Sequence, residues 1–203
     1  VWSAYAEKFR RMIGDGVDLG TEARFVDMLL PRGSNVLDVG CGTGSFVAHV
    51  RRAGHAAWGV DADPDVLAVA HEHFDARWYV RGDAVALSAP WCAENGLPGS
   101  FHAVTMLGNV PAFLPAGSAE GLMREVATIL APGGFLVVGT SARRGAVQLD
   151  DLDGAARRAR LDLRARFADW HLAPFDDDSP WSVSVFAVDG ALEHSSPDAV
   201  FVL

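Results

Sequence analysis

Short apolar runs alternate with amphipathic stretches along most of this chain. Positions Trp2, Tyr5, Phe9, Met12 and Ile13 recur at helical spacing and predict a first helix, ended by Gly14, Asp15 and Gly16. A second helix runs from Thr21 through Phe25, Val26, Met28, Leu29 and Leu30 until Pro31 and Gly33 stop it. Val36 to Val39 reads as a buried strand. It is followed by a glycine-rich turn and a helix over 45–53, with Gly54 as its left-handed terminator.

The alternation continues. A strand at Ala57 to Val60 ends on Asp61, and Asp63 with Pro64 opens a helix through Leu67, Ala70 and His71. Strands are predicted at 77–80, 101–107, 135–139, 161–167 and 182–188, with helices at 118–130 and near 147–159. Residues 86–100, with Pro90, Gly96, Pro98 and Gly99, read as irregular, and Ala131 to Gly134 as the turn closing the preceding helix. Strands apolar on both faces and separated by helices imply a mostly parallel sheet covered on both sides, an α/β fold of three layers. The Asp- and Pro-rich link between the last two strands is too short for a helical crossover, so they form an antiparallel hairpin. The segment 199–203 could add an edge strand.

Composition narrows the possibilities. The chain has 203 residues, half of them hydrophobic, and a net charge of −9 from 26 acidic and 17 basic side chains. This suits one domain over 1–203, with a helical segment at 1–30, a core at 31–190 and a tail at 191–203. The acidic balance argues against a phosphate backbone as the main ligand. No apolar run approaches the roughly 18–20 residues of a membrane span, and the first residues lack a secretory pattern. Two cysteines, Cys41 and Cys92, make no disulfide framework, so the expected location is the cytoplasm.

The chemistry concentrates in Asp38, Val39, Gly40, Cys41, Gly42, Thr43 and Gly44, at the carboxyl end of the first strand. Closely spaced glycines let a ligand lie directly on the main chain, in the crevice where open α/β sheets bind ligands. A dinucleotide turn wants a small third residue of G-x-G-x-x-G/A, and Ser45 stands there. An acid beside the turn repels a pyrophosphate and suits an ammonium or sulfonium. Asp61, about 20 residues on, falls where a carboxylate accepts from ribose hydroxyls. Asp83 follows the third strand, either as a loop residue or as an acceptor for an exocyclic amine.

The run Val36 to Gly44 resembles the first motif of class I S-adenosylmethionine-dependent methyltransferases. Asp61, Asp83 and the segment 122–139 with its Leu-Ala-Pro-Gly-Gly-Phe-Leu are similar to later motifs of that family. The resemblance spans about residues 35–140, and 170–188 more loosely. It implies a Rossmann-like class I methyltransferase fold, a seven-stranded sheet of order 3-2-1-4-5-7-6 with strand seven antiparallel. It also implies S-adenosyl-L-methionine as cofactor and S-adenosyl-L-homocysteine as product. Asp38 and the loop of Gly40, Cys41, Gly42 and Gly44 would lie at the methionyl part and Asp61 with Ala62 at the ribose. Asp83 and the Ala84 amide would read the adenine, and Leu107, Gly108 and Asn109 would line the transfer site. With 1–30 as an N-terminal helical lid, Tyr5 and Arg10 would close over the methionyl end.

The acceptor is less legible. Methyl transfer from a sulfonium rests on alignment, and a base is needed only when the acceptor must lose a proton early. The fourth strand ends in Leu107, Gly108, Asn109, Val110 and Pro111, without the Asn/Asp-Pro-Pro-aromatic motif of base-directed amino methyltransferases. With the acidic charge, this points to a small-molecule acceptor for O-, N- or C-methylation. RNA or protein methylation, an NAD(P)-binding oxidoreductase and a non-catalytic binding module stay open as alternatives. Asn109 either orients the acceptor or caps the next segment. His171 is the general-base candidate, against a plain solvated histidine, while His102 reads as structural. No metal site is expected: His71 and His73 do not share a helix face, and Asp176 to Asp178 reads as a solvated turn. Trp170, Phe175 and Trp181 either wall the acceptor or pack under the hairpin. Arg143 and Arg144 either engage an acceptor carboxylate or sit in water. The oligomeric state has no reading.

Overall fold

The computed structural model describes residues 3–142 and 147–191. Its strands are β1 (Asn35–Val39), β2 (Ala56–Asp61), β3 (Tyr79–Arg81), β4 (Phe101–Met106), β5 (Leu130–Ser141), β6 (Asp162–Phe167) and β7 (Trp181–Ala187). Its helices are α1 (Ala4–Gly14), α2 (Thr21–Met28), α3 (Ser45–Arg52), α4 (Pro64–His73), α5 (Ala89–Glu94), α6 (Ala119–Ile129) and α7 (Leu149–Arg158). The strands form one sheet of order β3-β2-β1-β4-β5-β7-β6. Pairing is parallel from β3 to β5 and antiparallel for β5–β7 and β6–β7. This is the Rossmann-like order with a terminal hairpin that the sequence implied.

Side-chain parity along the strands builds two apolar layers. On β1, Leu37 and Val39 join Cys92, Leu122, Met123 and Leu152 beneath α5, α6 and α7. Val36 faces the other way and joins Val26, Val47 and Leu67 beneath α2, α3 and α4. Helix α1 stands apart, seating Ala6 and Ile13 on Val66 and Val69 of α4. Its Arg10 grips Glu72 of α4 through two nitrogens, at 2.7 and 2.6 Å.

Three expectations shift. Residues 89–94 are helical, because Ser88 Oγ accepts from Trp91 N and Pro90 occupies the first turn, where a missing N–H is harmless. The segment Ala131 to Gly134 belongs to β5: Leu130 already pairs with Phe101, and a bulge absorbs the extra residues before Phe135 pairs with Ala103. The third strand is shorter than expected, since residues 76–78 form a 3₁₀ turn capped by Asp75. Trp2, Arg143, Arg144 and the tail strand expected at 199–203 lie outside the described residues.

At the amino end of the sheet, two histidines satisfy the backbone entering β1. Ser34 N donates to His55 Nδ1 at 3.2 Å, and Asn35 N donates to His102 Nδ1 at 2.9 Å. For His55 this makes Nε2 the protonated nitrogen, and it donates to Asp27 Oδ1 at 2.8 Å. The His55 side chain is fully buried and Ser34 nearly so. Replacing His55 by Leu fills the space and leaves Ser34 N without an acceptor. Urea unfolding should show a stability loss of about 1–3 kcal/mol; an unchanged midpoint would show that another group takes over that N–H.

Candidate functional site

The site grows from the carboxyl ends of β1, β2 and β4. The chain leaves β1 through Gly40, Gly42 and Gly44, all with positive φ. Two of these glycines are demanded by packing as well. A Cβ at Gly44 would lie 2.6 Å from the buried Tyr79 ring, whose hydroxyl donates to Gly44 O at 2.9 Å, and one at Gly40 would overlap Val110. The loop is tied to the end of β2. Val60 O accepts from both Gly40 N (2.7 Å) and Cys41 N (3.0 Å). Asp61 Oδ2 accepts from Gly42 N at 2.8 Å, while Oδ1 accepts from Asp63 N at 2.9 Å. Asp63 then caps α4 through Asp65 N.

Two further residues are set by local turns. Asp83 Oδ1 accepts from Val85 N at 3.1 Å and caps a 3₁₀ turn over Ala84–Ala86, leaving its second oxygen uncommitted. Asn109 is held left-handed, at φ 65°, where β4 turns away from the sheet. Its Oδ1 accepts from Thr140 Oγ1 (2.9 Å) and Ser141 N (2.8 Å), which fixes the carboxamide and leaves its NH₂ group to donate elsewhere.

Between these elements lies a cavity of about 650 Å³, within the roughly 300–1,000 Å³ of small-molecule sites. Of the residues singled out from the sequence, Tyr5, Gly40, Gly42, Asp61, Ala62, Asp83, Ala84, Gly108 and Asn109 line it. Sequence reasoning missed Phe113 and Leu114, which the turn after β4 brings to the mouth. Phe113 is 81% exposed. The visible signal was an apolar Val-Pro-Ala-Phe-Leu segment placed directly after a strand end. Three carboxylates, of Asp61, Asp63 and Asp83, line the cavity, and among the described residues no Lys, Arg or His does.

The other expected residues lie elsewhere. Asp38 is buried beneath the loop, on the face of β1 toward α2–α4, opposite Thr105 of β4, whose hydroxyl donates to it at 2.8 Å. Burial pushes the Asp38 carboxyl up to about 8, with Thr105 opposing and Asp61 adding to the rise. The negative character of the site therefore belongs to Asp61, Asp63 and Asp83, not to Asp38. Cys41, Gly44 and Leu107 are buried outside the cavity lining, and burial beside Asp38 and Asp61 raises the Cys41 thiol well above its ordinary value. Arg10 points away to Glu72. Tyr5 stacks on Phe9 with ring centroids 4.7 Å apart; burial and then Asp61 and Asp38 raise its hydroxyl.

His171 is exposed and outside the cavity lining. It follows β6, the outermost strand, three strand spacings or roughly 14 Å from β4. Position therefore gives no support to a role for it as the base. Trp170 packs edge-on against Phe25 at 5.5 Å, and Phe175 covers the Arg166 guanidinium at 5.5 Å, so both pack within the hairpin region. Asp176 accepts from Asp178 N and Ser179 Oγ, which makes its carboxylate a turn-former.

Comparison with known proteins agrees with this architecture. A family model described as a methyltransferase domain matches residues 8–194. The ubiquinone biosynthesis O-methyltransferase of Xanthomonas axonopodis pv. citri is 34% identical over 136 residues, 66% of this chain and 54% of that protein. The malonyl-[acyl-carrier protein] O-methyltransferase of Pectobacterium atrosepticum is 33% identical over 111 residues, 46% of this chain and 42% of that one. The chain thus spans about half the length of these relatives. The crystal structure of a TehB-like SAM-dependent methyltransferase from Corynebacterium glutamicum superposes with a TM-score of 0.77 at 31% identity, covering 91% of this chain and 96% of that one.

The raised Asp38 carboxyl has a measurable consequence. Between about 4, where the unfolded group titrates, and about 8, the folded protein keeps a proton that the unfolded chain has lost. Stability from this group is thus present below the lower value and declines as pH rises toward the upper one. Asp38→Asn keeps an acceptor for Thr105 and removes the titration. Melting curves from pH 5 to 8 should fall less steeply for the variant, which should gain at least about 2 °C at pH 8. Parallel curves would place the Asp38 charge outside the folding equilibrium.

Proposed function

The chain belongs to the methyltransferase domain family, and we propose that it transfers a methyl group from S-adenosyl-L-methionine to an O, N or C atom of a small-molecule acceptor. The observation that carries this reading is the cavity's donor and acceptor set. It offers glycine main chain and three carboxylates with no basic side chain among the described residues, a lining hostile to a pyrophosphate and suited to a nucleoside bearing positive charge. The residues fit the cofactor in a second respect. A Cβ at Gly108 would meet nothing within 4 Å and one at Gly42 only the Tyr5 hydroxyl, so the main chain lies open to the cavity there.

The cofactor, when bound, supplies an electrophilic methyl on a sulfonium. This chain's residues bind and align. Asp61 uses the lone pairs left free by Gly42 N and Asp63 N to accept from the ribose hydroxyls, with Ala62 beside it. Asp83 accepts the adenine amine with its uncommitted oxygen, next to the Ala84 amide. The main chain of Gly40, Gly42 and Gly108 and the Tyr5 ring border the methionyl end. Asn109 directs its NH₂ group at the acceptor, and the apolar Val110, Phe113 and Leu114 exclude water from the mouth. Alignment of nucleophile and methyl is the main source of rate in such a displacement, so a dedicated base is not required of every acceptor.

Two variants test the reading. Asp61→Ala should weaken S-adenosylhomocysteine binding about 10- to 100-fold in titration calorimetry, the equivalent of a hydrogen bond to a charged acceptor. Unchanged affinity, or tighter binding of NAD than of the nucleoside by the parent protein, would reject the assignment. Asn109→Gly keeps the left-handed backbone without strain and removes the carboxamide. With an acceptor found by screening for S-adenosylhomocysteine release, its kcat/KM should fall about tenfold while nucleoside affinity holds. A fall in nucleoside affinity alone would make Asn109 a cofactor residue.

A further inference from the structure

A second cavity, of about 610 Å³, opens at the other end of helices α3 and α4. These helices begin at the glycine loop and at Asp63, beside the first cavity, and end at the second. The eight residues of α3 separate the two by roughly 12 Å. The second cavity is lined by Arg51 and Arg52 from the last turn of α3, His73 and Phe74 from the end of α4, and Trp78 from the turn before β3.

The hydrogen-bonding capacity left open here is cationic. The two carboxylates at its rim are already engaged: Glu72 by Nε and Nη2 of Arg10, and Asp75 by Arg77 at 2.6 Å. Arg51 is pinned flat, its guanidinium carbon 4.5 Å from the Trp78 ring centroid and 5.4 Å from that of Trp58, with Nε donating to Ala57 O at 2.7 Å. It has no carboxylate within ion-pair distance among the described residues, and burial lowers its pKa against the opposing charge of Asp75. His73 Nε2 is buried without a hydrogen-bond partner. Arg52 forms no ion pair or hydrogen bond among the described residues. Basic side chains in a last helical turn complement the macrodipole. That accounts for their sign, but not for an arginine held against two indole rings beside an open cavity with a second arginine unpaired among the described residues next to it.

We propose that this second cavity is a binding site for a small organic phosphate. The guanidinium groups of Arg51 and Arg52 would share the phosphate oxygens, and the carbon part would lie on the His73 ring, Phe74 and the Trp78 edge. Planar guanidinium forks suit phosphate geometry, and two forks match its three oxygens better than they match the two of a carboxylate. The helix ends present carbonyls here, so the anion is held by side chains, not by backbone N–H groups. The site is independent of the proposed methyl transfer.

The test is calorimetric titration of the whole chain with phenyl phosphate, inorganic phosphate and benzoate at constant ionic strength. The same titrations are run on Arg52→Ala and His73→Ala. Both variants place the best helix former in a last turn, so circular dichroism should show an unchanged fold. Phenyl phosphate should bind the parent with a Kd near or below about 1 mM, tighter than inorganic phosphate or benzoate, and about tenfold more weakly to each variant. Three results overturn the proposal: no phenyl phosphate binding, binding that both substitutions leave intact, or benzoate binding as tightly as phenyl phosphate. Inorganic phosphate binding as tightly as phenyl phosphate would overturn the organic part and assign the cavity to the free ion.

Discussion

One carboxylate holds the site together before any ligand arrives. Asp61 ends β2 and accepts one backbone N–H from the glycine loop and another from the start of α4. The strand, the loop and the helix beside it thus share a single acceptor. Val60 O reinforces the tie by accepting two successive N–H groups, of Gly40 and Cys41. The loop has no side chains of its own to fix it at Gly40, Gly42 and Gly44, so its shape is set by what it donates to. A carboxylate with two oxygens has lone pairs to spare after these two bonds. The group that shapes the loop therefore keeps acceptor capacity facing the cavity, which a neutral acceptor with one oxygen would not.

Much of this was legible because it is local. A glycine turn at the end of one buried strand, an acid at the end of the next and another after the third are fixed by short connections, and Gly40, Gly42, Asp61 and Asp83 all line the same cavity. The terminal hairpin was legible from the length of its link. What failed to be legible depends on long-range order or on burial. His171 looks well placed at a strand end, but the strand it follows stands outermost, beyond β7, and that arrangement brings other residues to the cleft. Asp38 reads as part of the ligand loop. Its parity with Val36 turns it into the sheet instead, against Thr105. Helix α5 was hidden because Pro90 reads as a breaker until Ser88 is recognised as its cap.

The burial of Asp38 changes how the acidic loop is understood. Four carboxyl groups fully ionised around one turn would repel each other strongly in a poorly solvated setting. Burial holds one of them protonated near neutral pH, against the Thr105 hydroxyl that donates to it, while the carboxylates of Asp61, Asp63 and Asp83 face the cavity. A ligand that brings positive charge relieves the remaining repulsion; one that brings phosphate aggravates it. The preference is written in the set of groups together, and no single acid in the sequence declares it.

The same reasoning extends to the opposite end of the molecule. Parallel strands joined by crossover helices force α3 and α4 to run in one direction, so their amino ends meet at the carboxyl edge of the sheet. Helix polarity then selects the charges. Asp63 and Asp65 sit at the start of α4, whereas His49, Arg51 and Arg52 close α3 and His71 and His73 close α4. Connectivity thus imposes an acidic cavity at one pole and a basic one at the other. The sign of each cavity follows from topology. What topology does not dictate is that the basic pole keeps Arg51 against two indole rings at the edge of an open cavity, and that is where chemistry beyond folding has to be sought.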